Sequence, residues 1–536
     1  MLERNLMIPS WENLSLLEQI AQMIVVRASG YLFDHQIRYP AWEASNERLQ
    51  WWLSELNLGG VILLGGSSIE LQKRSLTLQS WANIPLLIAA DIEEGIGQRF
   101  PGGTWFPPPM ALSKIYNSNP KLALDYAKRM GQITAQEAIA VGINWVLAPV
   151  VDVNNNSHNP VINIRAFGES TEVVSALSTA FINGAKSYPV LTTAKHFPGH
   201  GDTATDSHLE LPALPHDDDR LSRLELPPFK AAIAAGVDSV MTAHLSILAW
   251  DNDKPATLST EIVTGKLRQQ LGFSGLVVTD ALIMGGITKY APPEEAAILA
   301  VEAGNDILLM PDDPEVAIAA IYDALHAKRI SRERIEQSLK RIWQAKAKVS
   351  NSVEPTPTLS SPLARSTVDS IVGDSLTVAN TPLVVLDKSN SRNLIVVDDV
   401  LNTSYLDINA PAIAIPQKLG YQRQIVDSTT LDCILSDARN TLLQIFIRGN
   451  PFRANAGLTD KTKQIYQQLI NQGQIEAMVI YGSPYVLDWF KSFINSKLPY
   501  VFTYGQMKQS QAIALNILYD LNSEVQKSKS LSNFGF

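Results

Sequence analysis

Short apolar runs recur along the first 310 residues, spaced widely enough for a helix to lie between many of them. Eight of them predict strands: Met23–Val26, Gly60–Leu64, Pro85–Ala90, Ile143–Ala148, Val190–Ala194, Asp238–Thr242, Leu276–Thr279 and Asp306–Met310. The intervening stretches Leu122–Ala140, Phe229–Ala235, Glu261–Leu271 and Glu294–Ala303 carry helical spacing. Eight buried strands alternating with helices fit a closed parallel (β/α)8 barrel better than an open doubly wound sheet. Polar residues gather where the runs end: Asp91 after the third, Asp152, shortly past Pro149, after the fourth, Lys195 and His196 after the fifth, His244 after the sixth, Asp280 after the seventh. In a barrel all of these reach one rim, at the carboxyl ends of the strands, where such folds keep their active sites.

A helix over Ser331–Lys348, with Ile335, Leu339, Ile342 and Trp343 on one face, closes a first domain of residues 1–349. Residues 350–380 are rich in Ser, Thr and Pro and read as a linker. Beyond it, strand-like runs at Leu383–Leu386, Leu394–Val397, Ala412–Ile415, Leu443–Ile447, Ala477–Tyr481 and Tyr500–Thr503 accompany helical patterns at Lys461–Gln472 and Met507–Leu521. They predict a smaller α/β sandwich domain over residues 381–536. Gly482-Ser483-Pro484 reads as a turn, and no phosphate-binding glycine loop occurs there, so no cofactor is expected. Nothing after Ser350 stands out as chemistry.

Composition narrows the partners. A net charge of −9 offers no basic face for nucleic acid or an acidic membrane surface. No apolar run reaches the ~18 residues of a membrane span. The single cysteine, Cys433, cannot form an internal disulfide. Residues 1–17 carry acids, a proline and a tryptophan in place of a signal pattern, so the cytoplasm is the expected compartment.

The densest chemistry lies in Lys195-His-Phe-Pro-Gly-His-Gly-Asp-Thr-Ala-Thr-Asp-Ser-His208, which holds three of the chain's eight histidines. The spacing His196-x3-His200-x-Asp202 superficially matches zinc ligands, but Pro198 and Gly199 favour a turn over a shared helical face, so no metal is expected. His200 and Asp202 then read as residues that shape the loop. His208, two residues after Asp206, is placed for an acid–base dyad in which the carboxylate orients the imidazole and raises its pKa. Asp280, at the end of an apolar strand, is a carboxylate that can be held rigidly enough to attack an anomeric carbon; alone, it would read as a helix N-cap. In Asp91-Ile-Glu-Glu-Gly-Ile-Gly-Gln-Arg99, the aspartate can accept bonds from two sugar hydroxyls, while Arg99 can contact the same ring or anchor the loop. Arg165 is a similar candidate, with a surface ion pair as its alternative.

Lys195-His-Phe-Pro-Gly-His-Gly-Asp with Asp206-Ser-His208, followed by Val277-Val-Thr-Asp280-Ala-Leu-x-Met-x-Gly, resembles glycoside hydrolase family 3, in particular its bacterial β-N-acetylhexosaminidase branch. The resemblance runs from about Leu16 to about Lys348. It implies a TIM-type barrel, Asp280 as the nucleophile of a retaining reaction, and His208 with Asp206 as the acid/base dyad. It further implies that Asp91, Arg99, Arg165, Lys195 and His196 hold a terminal N-acetylglucosamine, and that the substrates are small saccharides such as cell-wall muropeptide fragments. The chain departs from the family pattern where Glu93 is followed by Glu94 in place of a glycine, which bears on the subsite beyond the scissile bond more than on Asp91 or Arg99. The aromatic-rich region Gly30–Trp51 is also its own. A glycoside phosphorylase, a β-glucosidase of the same family and a non-catalytic sugar-binding protein are the alternatives, and sequence leaves the oligomeric state open.

Overall fold

A computed structural model describes residues 8–203, 210–350, 358–383, 388–399, 403–427, 429–449 and 457–521. All eight expected barrel strands form: β1 (Ile24–Ser29), β2 (Gly60–Leu64), β3 (Leu87–Ala90), β4 (Trp145–Val146), β5 (Leu191–Phe197), β6 (Ser239–Thr242), β7 (Leu276–Thr279) and β8 (Leu308–Leu309). They pair in parallel in chain order, and β8 returns to β1 through Ile24↔Leu308 and Val25↔Leu309. A bridge between Val278 and Ile307 and the bond from Thr279 N to the Ile307 carbonyl link β7 to β8. Strands flanked by barrel interior on one side and helices on the other must be apolar on both faces. Accordingly, every residue of β7 is buried.

The helices follow from local signals. Pro120–Ala140 starts with Asn119 accepting from Leu122 N and with proline at the first position, where a missing N–H costs nothing. Its Ala123, Ala127, Met130, Thr134 and Ala138 form the buried stripe. The expected helix at Glu261–Leu271 is present as Glu261–Gln270, wound with π-type hydrogen bonds. The closing helix spans Arg332–Ser350.

The stretch read as a linker contains a helix, Pro362–Ser375. Ser361 caps it, and Ala364, Val368, Ile371 and Val372 bury one stripe that the high Ser and Thr content hides from a composition reading. It packs against Met110–Ser118 of the barrel and against Lys508–Tyr519 of the second domain, so it fastens the two together. The second sheet has the order β9 (Thr377–Ala379), β14 (Tyr500–Thr503), β13 (Ile475–Gly482), β12 (Asn440–Ile447), β10 (Ser391–Val397), β11 (Gln422–Val426). Only β9 runs antiparallel to its neighbour. Leu394 and Val396 face a core continuous with that of the barrel, while Ile395 and Val397 face a separate core. The expected strand at Ala412–Ile415 is instead part of a helix, Pro411–Lys418; a four-residue apolar run does not separate the two states, and Pro411 at the first helical position decides it. The run at Leu383–Leu386 falls largely outside the described residues.

Candidate active site

Strand β3 delivers Asp91 to the rim, and the loop after it carries Glu93 and Glu94. Lys195, on β5 and 1% exposed, sends its ammonium to Asp91 Oδ1 and Glu93 Oε1, each at 2.7 Å. Arg165 closes on Glu93 as a fork, with Nε at 2.9 Å and Nη2 at 2.7 Å, and its Nη1 donates to the Val161 carbonyl at 3.0 Å. The ion pair is therefore buried at Glu93 and not the surface pair that the sequence left open. Two cations and two carboxylates make a neutral cluster. Burial works against the charge of Glu93, yet Arg165 and Lys195 beside it hold its carboxyl well below the usual range. Burial likewise disfavours the Lys195 ammonium, but Asp91 and Glu93 more than offset this and raise its pKa. Asp91 keeps a 35% exposed side chain, so a carboxylate locked by a buried lysine still faces outward. Arg99 is exposed and donates from Nε to the Asp91 carbonyl at 3.2 Å, the loop-anchoring alternative of its two expected roles.

Asp152, one of the polar residues at the strand ends but not among the expected site residues, is the hub of the rim. Its carboxylate accepts from His196 N at 3.2 Å and from His200 N at 2.7 Å, and it meets His196 Nδ1 at 2.8 Å. The last contact fixes the His196 ring by one nitrogen and leaves Nε2 without a hydrogen bond among the described residues. Burial pushes the Asp152 carboxyl up, and His196 more than reverses this. The register of β5 against β6 skips at His196, a bulge of the kind that re-aims side chains at barrel rims.

The loop beyond is shaped by its glycines and by Asn159. Gly199 has φ of +132°, and a Cβ on Gly201 would lie 1.8 Å from the Val153 carbonyl oxygen. Asn159 Nδ2 donates to the carbonyls of His200 and Gly201 at 2.8 and 2.9 Å. His200 bonds Thr203 Oγ1 through Nδ1 at 2.8 Å, and Asp202 pairs with His216 and Arg220, so both shape the loop as expected. Burial and the neighbouring His196 push the His200 imidazole down to about 4, although Asp152 and Asp280 pull the other way. Among the described residues no group of three His, Cys, Asp or Glu side chains is placed to hold a metal ion.

Asp280 follows β7 directly. Its N–H donates to the Thr242 carbonyl at 3.0 Å, and its Oδ1 accepts from Ala281 N at 2.8 Å. It does not cap the next helix, Gly285–Thr288, whose N-cap is Met284. Fully buried His244 spans from Thr257 Oγ1 to the Ala281 carbonyl, 2.9 Å at each end, and so pins the chain one residue past Asp280. β7, which Asp280 follows, pairs in parallel with β6, and β6 with β5, so Asp280 emerges at the same carboxyl-end rim as Lys195 and His196. Asp206 and His208 lie outside the described residues. On either side of them, Thr203 is tied to His200, and the Pro212 carbonyl accepts from Ser246 N at 2.9 Å.

The second domain also reaches this rim, contrary to the expectation that nothing after Ser350 carries chemistry. Arg448, just past β12, pairs with Glu94 at 2.6 and 3.3 Å, and Trp105 Nε1 donates to the same carboxylate at 2.9 Å. Tyr485 accepts from Asn154 Nδ2 at 2.7 Å and donates to Glu169 at 2.5 Å. The one sequence signal was Glu94 itself: a carboxylate in place of glycine beside a buried cluster needs a cation, but nothing in the chain said which.

Residues 15–345 match the glycosyl hydrolase family 3 N-terminal domain, and residues 385–520 match the bacterial glycosyl hydrolase family 3 C-terminal domain. Beta-hexosaminidase A of Pseudoalteromonas piscicida is 37% identical over 331 residues, 56% of this chain and 55% of the relative, so the chain spans about half of that protein's length. Beta-hexosaminidase of Nitrosomonas eutropha is 32% identical over 297 residues, covering 54% of this chain and 85% of the relative. The solved structure of a glycoside hydrolase family 3 beta-N-acetylglucosaminidase from Paenibacillus sp. superposes with a TM-score of 0.78 at 28% identity, over 95% of this chain and 97% of that one. With a family model spanning the whole barrel and a second spanning the domain behind it, the chain belongs to glycosyl hydrolase family 3.

Proposed function

We propose that the protein is a retaining exo-β-N-acetylglucosaminidase that removes terminal N-acetylglucosamine from β-linked saccharides. The observation that carries this reading is the neutral cluster of Asp91, Glu93, Arg165 and Lys195 at the carboxyl ends of the parallel barrel strands, the end from which Asp280 also emerges. A preorganised cluster with no net charge suits an uncharged sugar, offering a carboxylate at Asp91 and an imidazole nitrogen at His196 to its hydroxyls. Relatives named beta-hexosaminidase support the choice of sugar.

In the proposed reaction an Asp280 carboxylate oxygen bonds to the anomeric carbon as the bond to the leaving oxygen breaks, and His208 gives that oxygen its proton. Water then attacks the glycosyl-aspartate. His208 takes the water's proton, and the sugar leaves with its original anomeric configuration. Asp206 orients the imidazole. Asp152 and His244 serve as positioning residues, the first holding His196 and the second the backbone beyond Asp280. Muropeptide fragments are the natural source implied by the resemblance, and the cytoplasm the compartment it suggests; among the described residues no helix is long and apolar enough to cross a membrane.

The test is hydrolysis of an aryl β-N-acetylglucosaminide, with the anomer of the first product read by NMR and with and without inorganic phosphate. The β-anomer should appear first, at a rate independent of phosphate. Asp280→Ala should lower kcat by at least ~10³-fold, and His208→Ala should lower it by about 10²- to 10⁴-fold on poor leaving groups but far less on activated ones. An α-product, a phosphorylated sugar, or an Asp280→Ala variant within tenfold of wild type would each overturn the reading.

A further inference from the structure

The aromatic-rich region after β1 builds a cavity on the rim. It has a volume of about 580 Å³ and lies over the ends of β1 and β8, with Ile283, three residues past Asp280, in its wall. That size falls in the ~300–1,000 Å³ range of small-molecule sites. Val26 and Met310 contribute apolar lining, and Met310 holds a left-handed φ of 50°, uncommon for a residue with a side chain.

The polar groups of this wall are set out for a ligand that is uncharged and rich in hydroxyls. Arg27 pairs with Glu43 through Nε at 3.0 Å, so its charge is matched within the wall. The guanidinium lies 4.7 Å from the Tyr39 ring centre and 5.6 Å from that of Trp42, and the two rings stack 5.9 Å apart. Trp42 is still 47% exposed, so part of its surface remains for the C–H face of a pyranose. Arg48 is paired with Glu315. Asp312 is exposed and has no ion-pair or hydrogen-bond partner among the described residues, so the cavity has acceptor capacity and no surplus cation.

We propose that this cavity is a saccharide subsite that takes the leaving-group part of the substrate. The proposal rests on the exo-glycosidase reading above: when the terminal sugar is the one removed, every other sugar of the substrate belongs to the leaving group. The absence of an unpaired cation among the described residues that line it favours a neutral chito-oligosaccharide here over a leaving group that carries a carboxylate.

The test compares triacetylchitotriose with an aryl β-N-acetylglucosaminide in wild type, Trp42→Ala and Asp312→Ala. The ratio of kcat/KM for chitotriose to that for the aryl glycoside should fall about tenfold in Trp42→Ala, mainly through KM for chitotriose, and by a smaller factor in Asp312→Ala. A variant that merely folds poorly lowers both rates and leaves the ratio alone. Ratios within twofold of wild type in both variants overturn the subsite. If wild type cleaves neither substrate, the glycosidase reading falls, and the cavity is judged by chitotriose binding followed by tryptophan fluorescence: weaker binding in both variants supports it, and unchanged affinity overturns it.

Discussion

Replacing Arg448 by alanine tests whether the second domain braces the proposed sugar site. Glu94 is 0% exposed, and its carboxylate is satisfied by Trp105 and by two guanidinium nitrogens that arrive from across the domain boundary. Burial works against the Arg448 charge, and Glu94 beside it more than restores it, raising its pKa. Removing the arginine leaves a buried carboxylate with one donor, the situation that costs roughly 3–5 kcal/mol in buried pairs; the 24% exposure of Arg448 argues for the lower end, about 3 kcal/mol. Glu94→Gln should cost less, about 1–2 kcal/mol, because the stranded guanidinium can still reach water. If the pair acts as a unit, the double variant should be more stable than the sum of the two losses predicts, by about 1–2 kcal/mol. Chemical denaturation of the four proteins measures the stability terms. A raised KM for the aryl glycoside should accompany Arg448→Ala, because Glu94 adjoins Glu93, which holds Arg165 and Lys195. Strictly additive losses with KM unchanged would refute the argument and reduce the contact to surface packing.

Two further outcomes follow from the strand-5 loop. Asp152→Asn removes the charge that orients His196 and anchors the backbone at His200, and a misaligned clamp of this kind should lower kcat/KM about a hundredfold while the fold persists by circular dichroism. His200 has its proton affinity pushed down to about 4 from an ordinary value of 6.5, so the unfolded chain takes up a proton before the folded one does. Stability from this group is complete above pH ~6.5 and is lost as the pH falls toward ~4, by about 3 kcal/mol in all. Denaturation midpoints measured across that window should slope less in His200→Gln than in wild type; equal slopes would show that the imidazole is not held neutral.

The barrel was legible because its strands are buried on both faces, which makes each a continuous apolar run, and because the residues after those runs are polar in a way that burial alone would not select. Where that contrast fades, the sequence misleads. Ala412–Ile415 is as apolar as a strand yet sits in a helix, and Pro362–Ser375 hides a buried stripe among serines and threonines. At the site, Lys195, Asp91 and Arg165 could be nominated, but not the carboxylate that joins them: Glu93 was given no role of its own and is the residue on which both buried cations converge. Asp152 was visible as a rim residue, and its role as hub depends on the N–H of His196, at a bulge in β5, and that of His200, in the turn beyond it, which no spacing rule announces.

The same consideration explains why the second domain belongs to the site. The rim concentrates Asp91, Glu93, Glu94 and Asp152 within two adjacent loops, and carboxylates so close together stay ionised only where each has its own cation or donors. The barrel supplies Lys195 and Arg165 for the first two, and His196 with two backbone N–H groups for Asp152. Glu94 exhausts that supply: Trp105 gives it one neutral donor, and its cation comes from Arg448. Glycine at this position would need no such partner. The glutamate therefore ties the charge balance of the candidate site to the docking of the domain behind it, and a change that loosened that docking would be felt first at Glu94 and, one residue away, at the carboxylate holding Lys195.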